Sequence, residues 1–187
     1  MASTKTLRFR VGDWVVHYSH GVGKVVEIVN KRLEGEDVTF FKIKATNIEY
    51  WLPVDLANAD HIEPIRSEKD FEKALDVIKQ APTPMTLPHN QTKRQIYERW
   101  LDGSLCSRAS LMRDLQGRDH LKVLNYDEKE LLAKIEEFFI HEWTIINPSL
   151  TKQKARQFLD HAYGISERKM NQPKNLTKNE QSLQTPG

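Results

Sequence analysis

This 187-residue chain contains residues that could carry out acid–base or nucleophilic chemistry, but they do not occur at the spacings that known catalytic motifs have. Seven histidines are scattered from His17 to His161, and the single cysteine, Cys106, has no base beside it in the sequence. We find no phosphate-binding glycine loop, serine-hydrolase elbow or paired-carboxylate pattern. No Cys or His cluster has the spacing of a zinc site. The pattern indicates a binding protein, not an enzyme, and implies no cofactor.

Residues 90–99 instead carry side chains suited to holding phosphate groups. Asn90 opens a predicted helix that contains Lys93, Arg94 and Arg99, and positive side chains beside a helix N-terminus can bind phosphates. The alternative is an ordinary solvated helix surface, because the acidic Glu98 lies among these cations. We therefore take these four residues as candidate phosphate contacts and keep the solvated surface as the competing interpretation.

The charge distribution limits how such a contact could work. The net charge is +2, residues 1–66 and 67–165 are each neutral, and the whole excess lies in residues 166–187. Bulk electrostatic attraction would not hold this chain on nucleic acid, so any contact must come from a local patch. With no membrane-length apolar run, no signal segment and one cysteine, the chain is expected in the cytoplasm.

The first third of the chain has the pattern of a small β structure. Short β-branched and aromatic runs alternate with Gly, Asn and Asp, and Glu34-Gly35-Glu36 forms a predicted hairpin turn. The predicted strands are Asp13–His17, Gly23–Val29, Val38–Lys44 and Ile48–Leu52. Because Gly21 and Gly23 allow close backbone approach between strands, the pattern predicts a tightly bent Tudor- or SH3-like β-barrel that works through its outer surface.

Helical spacing replaces the strand pattern after residue 66. A capping box at Ser67 and Asp70 opens the first predicted helix, and a second box lies at Asn125 and Glu128. The predicted helices span residues 67–80, 90–101, 107–115, 125–146 and 151–164. The overall expectation is an α+β protein with a disordered N-terminus (1–6), a β domain (7–66), an all-α helical bundle (67–165) and a disordered polar tail (166–187).

One phrase in the β half points to a known family. It reads Phe9-x-Val11-Gly12-Asp13-x-Val15-Val16-His17-x-x-x-Gly21-x-Gly23-x-Val25. This phrase resembles the start of the CarD/CdnL bacterial transcription regulators, whose module also occurs as the RNA polymerase-interacting domain of the transcription-repair coupling factor. A helical domain after the barrel is similar to the stand-alone CarD architecture. The resemblance is dense over residues 8–65, looser over 67–146 and weak beyond.

The resemblance implies a partner and a docking surface. Proteins of this family dock their barrel on the β subunit of RNA polymerase, and their helical domain contacts promoter DNA near the upstream edge of the bubble. By family position, the polymerase-binding residues are Lys31, Arg32, Tyr50, Trp51 and Pro53. Adjacent strand residues face opposite ways, and we expect Trp51 outward with Tyr50 on the inner face. We expect a monomer with no membrane contact.

The resemblance makes the candidate phosphate contacts Asn90, Lys93, Arg94 and Arg99 the expected DNA contacts, but this side departs from the family pattern. The family has an Asn-Trp pair whose tryptophan wedges into the minor groove. Here Gln91 follows Asn90 and takes the position of that tryptophan. An alignment through Gly103 places His89 at the tryptophan position instead. Trp100 is expected in the core. Two alternatives therefore stay open, namely a polymerase-binding adaptor without DNA contact and a generic RNA- or ribosome-binding barrel module.

Overall fold

A computed structural model describes residues 7–33, 35–57, 62–86 and 88–172. Within these residues the chain forms a sheet followed by helices, which confirms the predicted α+β class. The strands are β1 (Trp14–His17), β2 (Gly21–Leu33), β3 (Glu36–Ala45), β4 (Glu49–Pro53) and β5 (Ile62–Pro64). The helices are α1 (Val54–Ala57), α2 (Glu68–Ile78), α3 (His89–Leu101), α4 (Leu105–Leu121), α5 (Tyr126–Ile146) and α6 (Lys152–Met170).

The sheet is antiparallel, with the strand order β4-β3-β2-β1-β5. A β-bulge between Val25 and Glu27 shifts the register of β2 against β3, and such a bulge bends the strand and increases its twist. Gly35 makes the hairpin turn with φ at +92°. The two outermost strands do not pair with each other. The predicted barrel is therefore a loose one, and its sheet is open.

One face of this sheet forms the core of the β domain. The buried apolar residues are Phe9, Val15, Val25, Phe41, Ile43, Leu52, Val54 and Ile62. Phe9 meets Phe41 edge-on, with ring centroids 6.1 Å apart. Since side chains alternate along a strand, the residues between these core positions point outward.

The helical half is built around α4, which contacts α2, α3, α5 and α6. Leu111, Met112 and Leu115 are fully buried on it. The buried Asp114 accepts a hydrogen bond from the backbone N–H of Thr83 at 2.8 Å, and Arg113 donates to the carbonyl of Val77 at 3.3 Å. These contacts tie the end of α2 and the proline-containing connector after it to the central helix.

Three predicted helix boundaries were wrong, and one of them is the end of the third predicted helix, which continues to Leu121 and does not stop at Leu115. The third predicted helix begins earlier, because Ser104 Oγ accepts a hydrogen bond from Ser107 N at 3.0 Å and caps α4 there. The fifth does not end at Gly164. It continues to Met170, where Ser166 Oγ donates to the carbonyl of Gln80 at 2.7 Å and holds the last turns on the bundle.

The predicted disordered tail therefore starts too early, since residues 166–170 are helical. The remainder of that prediction, residues 173–187, and the predicted N-terminal segment 1–6 lie outside the described residues. Across the described ranges, no helix has the length and apolar character needed to cross a lipid bilayer.

Candidate functional site

The outer face of the sheet brings together three of the five residues expected to bind a partner. Trp51 lies opposite Lys42, and Pro53 lies opposite Phe40, two positions along β3. Lys31 of β2 pairs with Val38, two positions beyond Phe40. Because residues two apart on a strand share a face, Lys31, Trp51 and Pro53 all lie on the outer face.

Lys31 and Trp51 form a defined pair on that face. The Lys31 ammonium lies over the Trp51 ring, and the indole is 47% exposed. This confirms the outward orientation expected for Trp51. A cation over an exposed indole contributes on the order of 0.5–1 kcal/mol. The contact therefore limits the rotamers of both side chains, while the indole remains accessible to solvent.

The strand that carries Trp51 is also an edge of the sheet. β4 pairs with β3 on one side and with no other strand of the described chain on its other side. Such an edge presents main-chain donors and acceptors, and a partner strand can add to it. The outer face and this edge together supply an aromatic anchor and a backbone template.

Arg32 and Tyr50 lie on the opposite face. Arg32 pairs with Asp37, and Tyr50 pairs with the core residue Ile43. The Tyr50 ring packs against the buried core and lies 4.7 Å from the ring of His20. Its hydroxyl has no hydrogen-bond partner among the residues that the structure describes, and burial raises the pKa of Tyr50. The structure thus divides the predicted set into three outward residues and two that point the other way.

A second exposed tryptophan was missed by the sequence reasoning. Trp14 pairs with Lys24 of β2, and the Lys24 ammonium lies 5.6 Å from the indole centroid. The available signal was alternation in β1, because Val15 is a core position and its neighbour Trp14 must point outward. Trp14 provides an internal comparison for Trp51.

The N-terminal half of α3 carries three of the four predicted phosphate contacts. Asn90, Lys93 and Arg94 are exposed. Arg94 Nε donates a hydrogen bond to Glu98 Oε1 at 2.7 Å, and this pairing raises the pKa of Arg94. Glu98 therefore offsets part of the positive charge, as the solvated-surface alternative requires.

Arg99 does not join this group. Its guanidinium donates to Ser110 Oγ at 2.7 Å and to Asp114 Oδ2 at 2.9 Å, both on α4. The side chain therefore lies between α3 and α4. The structure separates Arg99 from the exposed cations with which the sequence grouped it.

The nearest tryptophan to this helix end is a core residue, as predicted. Trp100 is buried together with Ile96, and the Arg108 guanidinium lies 4.9 Å from its ring centroid. Gln91 is exposed at the position after Asn90. The start of α3 therefore presents no indole to a partner, and the buried Trp100 does not replace one.

Two charged residues at the junction of the β and helical halves were also missed. Arg66 precedes α2, and Glu142 lies in α5 between the buried Ile140 and Trp143. The two side chains form an ion pair, with Arg66 Nη1 and Glu142 Oε2 3.5 Å apart. The sequence signal was an acidic residue within an otherwise apolar helix face.

The described residues contain no group of three or more His, Cys, Asp or Glu side chains arranged to hold a metal ion.

Comparison with known proteins divides the chain at the junction between the β and helical halves. Residues 9–66 match the CarD-like/TRCF RID domain family, and residues 73–160 match the CarD, C-terminal domain family. A protein of Bacillus subtilis (strain 168) named "Putative transcription factor YdeB" is 24% identical over 152 residues, which cover 80% of this chain and 99% of that protein.

Proposed function

Because this chain belongs to the CarD family, with both of its domains matched in order, we propose that it is a bacterial transcription regulator that docks on the RNA polymerase β subunit. The sheet domain binds polymerase, and the helical domain modulates promoter opening. The protein acts in the cytoplasm as a monomer and has no catalytic role.

The observation that supports this proposal best is the Lys31–Trp51 pair beside the open edge of β4. It lies within the segment that matches the polymerase-interacting domain. Strand addition at β4 would supply main-chain hydrogen bonds, and the adjacent indole would supply specificity. Large exposed aromatic side chains are the residues that most often dominate such interfaces.

The helical domain acts on DNA near the upstream edge of the bubble through Asn90, Lys93 and Arg94. Arg99 is left out of this contact because it is bonded to α4. A protein that binds the open complex more tightly than the closed complex shifts the equilibrium by that difference alone. The size of the effect on opening therefore reports the difference in affinity directly.

A second function has a specific observation in its favour. The start of α3 has no exposed indole, and Arg94 is paired with Glu98. These features favour an adaptor that binds polymerase and recruits another protein through its helical domain without contacting DNA. The adaptor and the regulator share the docking step and differ only in what the helical domain touches.

Promoter opening by the bacterial RNA polymerase, followed with a fluorescent base in the bubble, tests the proposal in the presence and absence of this protein. A parallel pull-down measures polymerase binding. A changed open-complex lifetime together with binding supports the regulator. Binding without any change supports the adaptor, and no binding returns the chain to a generic barrel module that contacts RNA or ribosomes.

A further inference from the structure

One face of α5 holds the sheet domain at three points. Phe138, His141 and Glu142 are spaced i, i+3 and i+4, so they lie on one side of the helix. Each reaches a different segment of the β domain: the start of β2, the turn after β3, and the junction before α2. Three separate contacts fix both the position and the rotation of one body on another, which a single contact cannot do.

The junction contact is the most heavily bonded of the three. Arg66 donates its backbone N–H to Glu142 Oε1 at 3.0 Å. Its guanidinium donates to the carbonyl of Gly103 at 2.6 Å, and it also pairs with the second Glu142 oxygen. A single residue at the end of the β domain is therefore bonded to α5 and to the turn between α3 and α4.

The Glu142 carboxylate is almost completely buried, with 2% of its side chain exposed. Burial raises the pKa of Glu142, while the neighbouring Arg66 and Arg108 lower it. Burial also lowers the pKa of Arg108 to about 10. Buried ion pairs contribute little net stability because desolvation offsets their attraction, but they favour the one geometry that satisfies them. The pair thus suits a role in orientation.

The other two points act through shape and a polar contact. A Cβ on Gly21 would lie 2.9 Å from the Phe138 ring, so the glycine lets the start of β2 pack directly on α5. Thr46 Oγ1 lies 3.4 Å from His141 Nε2 at the turn after β3. These contacts are far apart along the chain, and they leave the outer face around Trp51 uncovered.

We propose that Arg66 and Glu142 are positioning residues that, together with the Gly21–Phe138 contact, lock the sheet domain in one orientation on the helical domain. Docking of the sheet on polymerase would then determine where α3 lies relative to the promoter. The lock is a property of the free protein. Its consequence for transcription rests on the proposed function.

The lock is tested first in the protein alone. Spin labels at Lys44→Cys and Gln153→Cys, both exposed positions, would report the distance between the domains in a Cys106→Ser background, since the native cysteine is also exposed. We expect one narrow distance distribution for this parent and a broadened one after Arg66→Ala. An unchanged distribution in the Arg66 variant would overturn the proposal.

Two glycine variants supply a matched comparison. Gly21 and Gly12 both have positive φ, at +72° and +100°, but nothing lies within 4 Å of a Cβ on Gly12. Both Gly→Ala changes strain the backbone, while only Gly21→Ala pushes against Phe138. We expect broadening for Gly21→Ala alone. Equal behaviour of the two variants would contradict a contact that depends on α5.

The transcription readout separates this inference from the proposed function. We expect Arg66→Ala to retain polymerase binding and to lose most of the effect on open-complex lifetime. A broadened distribution with an unchanged promoter effect would overturn the positioning role. If the parent protein does not bind polymerase, the proposed function fails, and the distance measurement still decides whether the lock exists.

Discussion

Arg99 donates a hydrogen bond to Asp114 at 2.9 Å, across the interface between α3 and α4. Asp114 is 3% exposed and also accepts from Arg113 Nε at 2.7 Å and from the backbone of Thr83. One carboxylate therefore joins α3, α4 and the connector after α2. A residue that resembled a phosphate contact in the sequence is one of its three partners, and it holds the helices together.

We expect Arg99→Ala to reduce the free energy of unfolding by about 1–2 kcal/mol, because it removes a charge-assisted hydrogen bond from a buried acceptor that keeps two other partners. Arg94→Ala is the matched control, since its ion pair with Glu98 is exposed, is screened by solvent and should contribute little to stability. Urea denaturation measures both. Equal effects would show that Arg99 is a surface residue like Arg94.

The features predicted correctly from the sequence depend on neighbouring residues. The Asn125–Glu128 capping box and the Thr151 cap form within three residues of chain, so their signals are local. The burial of Trp100 likewise follows from the 3.6-residue apolar spacing of its helix. Short-range patterns of this kind indicate most helix starts and much of the face that a helix buries.

Most of the features that were missed depend on partners that are distant in the sequence, whereas the Ser104 cap of α4 and the outward Trp14 had local signals. Strand β5 has three residues and exists because it pairs with β1. Helix α6 passes Gly164 because Ser166 bonds to Gln80, 86 residues away. The partners of Arg99 and Arg66 lie on other helices. No local pattern identifies such partners, so the sequence grouped Arg99 with exposed cations and gave no role to Arg66.

Two helical glycines should respond to the same substitution with opposite signs. A Cβ on Gly117 would collide with the ring of Pro82, whereas a Cβ on Gly164 meets only the end of Arg168 at 3.8 Å. We expect Gly117→Ala to destabilise the protein by about 1–3 kcal/mol through overpacking. Gly164→Ala should stabilise it by about 0.5–1 kcal/mol through helix propensity. Thermal unfolding of both variants measures this, and a stabilised Gly117→Ala would show that the connector yields.

The N-terminus of α2 should have a measurable acid dependence. Asp70 Oδ2 accepts hydrogen bonds from Ser67 Oγ at 2.7 Å and Ser67 N at 3.1 Å, and these lower the pKa of Asp70. A carboxyl with a lower pKa in the folded state stabilises the fold above its unfolded pKa, and that contribution is lost as the pH falls through the folded value.

We expect Ser67→Ala to raise the pKa of Asp70 toward its ordinary value, as followed by an NMR titration of the side-chain carboxyl carbon. Lys73→Ala is the control, because Lys73 is a smaller cause of the same shift. A larger change from Lys73→Ala than from Ser67→Ala would mean that charge, and not the hydrogen bonds, sets this pKa.

The docking assignment can be tested with two tryptophans. Trp51 and Trp14 are both exposed and each has a lysine over its ring, but only Trp51 lies on the open edge strand β4. We expect Trp51→Ala to weaken polymerase binding at least about tenfold, which corresponds to about 1.4 kcal/mol. Combining it with Lys31→Glu should abolish binding.

Trp14→Ala should change the affinity for polymerase by less than about twofold, since Trp14 lies three strands from that edge. Biolayer interferometry with immobilised polymerase measures each variant, and circular dichroism checks that the sheet is retained. Unchanged affinity of the Lys31→Glu, Trp51→Ala double variant would place the docking surface elsewhere. A greater loss from Trp14→Ala would move it to β1.

Reversing the charges at the start of α3 tests the DNA contact. We expect Lys93→Glu with Arg94→Glu to leave polymerase binding intact and to weaken the effect on promoter opening, because both side chains are exposed and neither lies in the sheet domain. Each phosphate contact contributes roughly 0.7–0.9 to the logarithmic salt slope of DNA binding, so the variant's effect on opening should also become less sensitive to salt. Lys152→Glu with Lys154→Glu on α6 changes the net charge equally and is the control. Equal losses from both double variants would indicate a bulk charge effect, and no loss from either would favour the adaptor over the regulator.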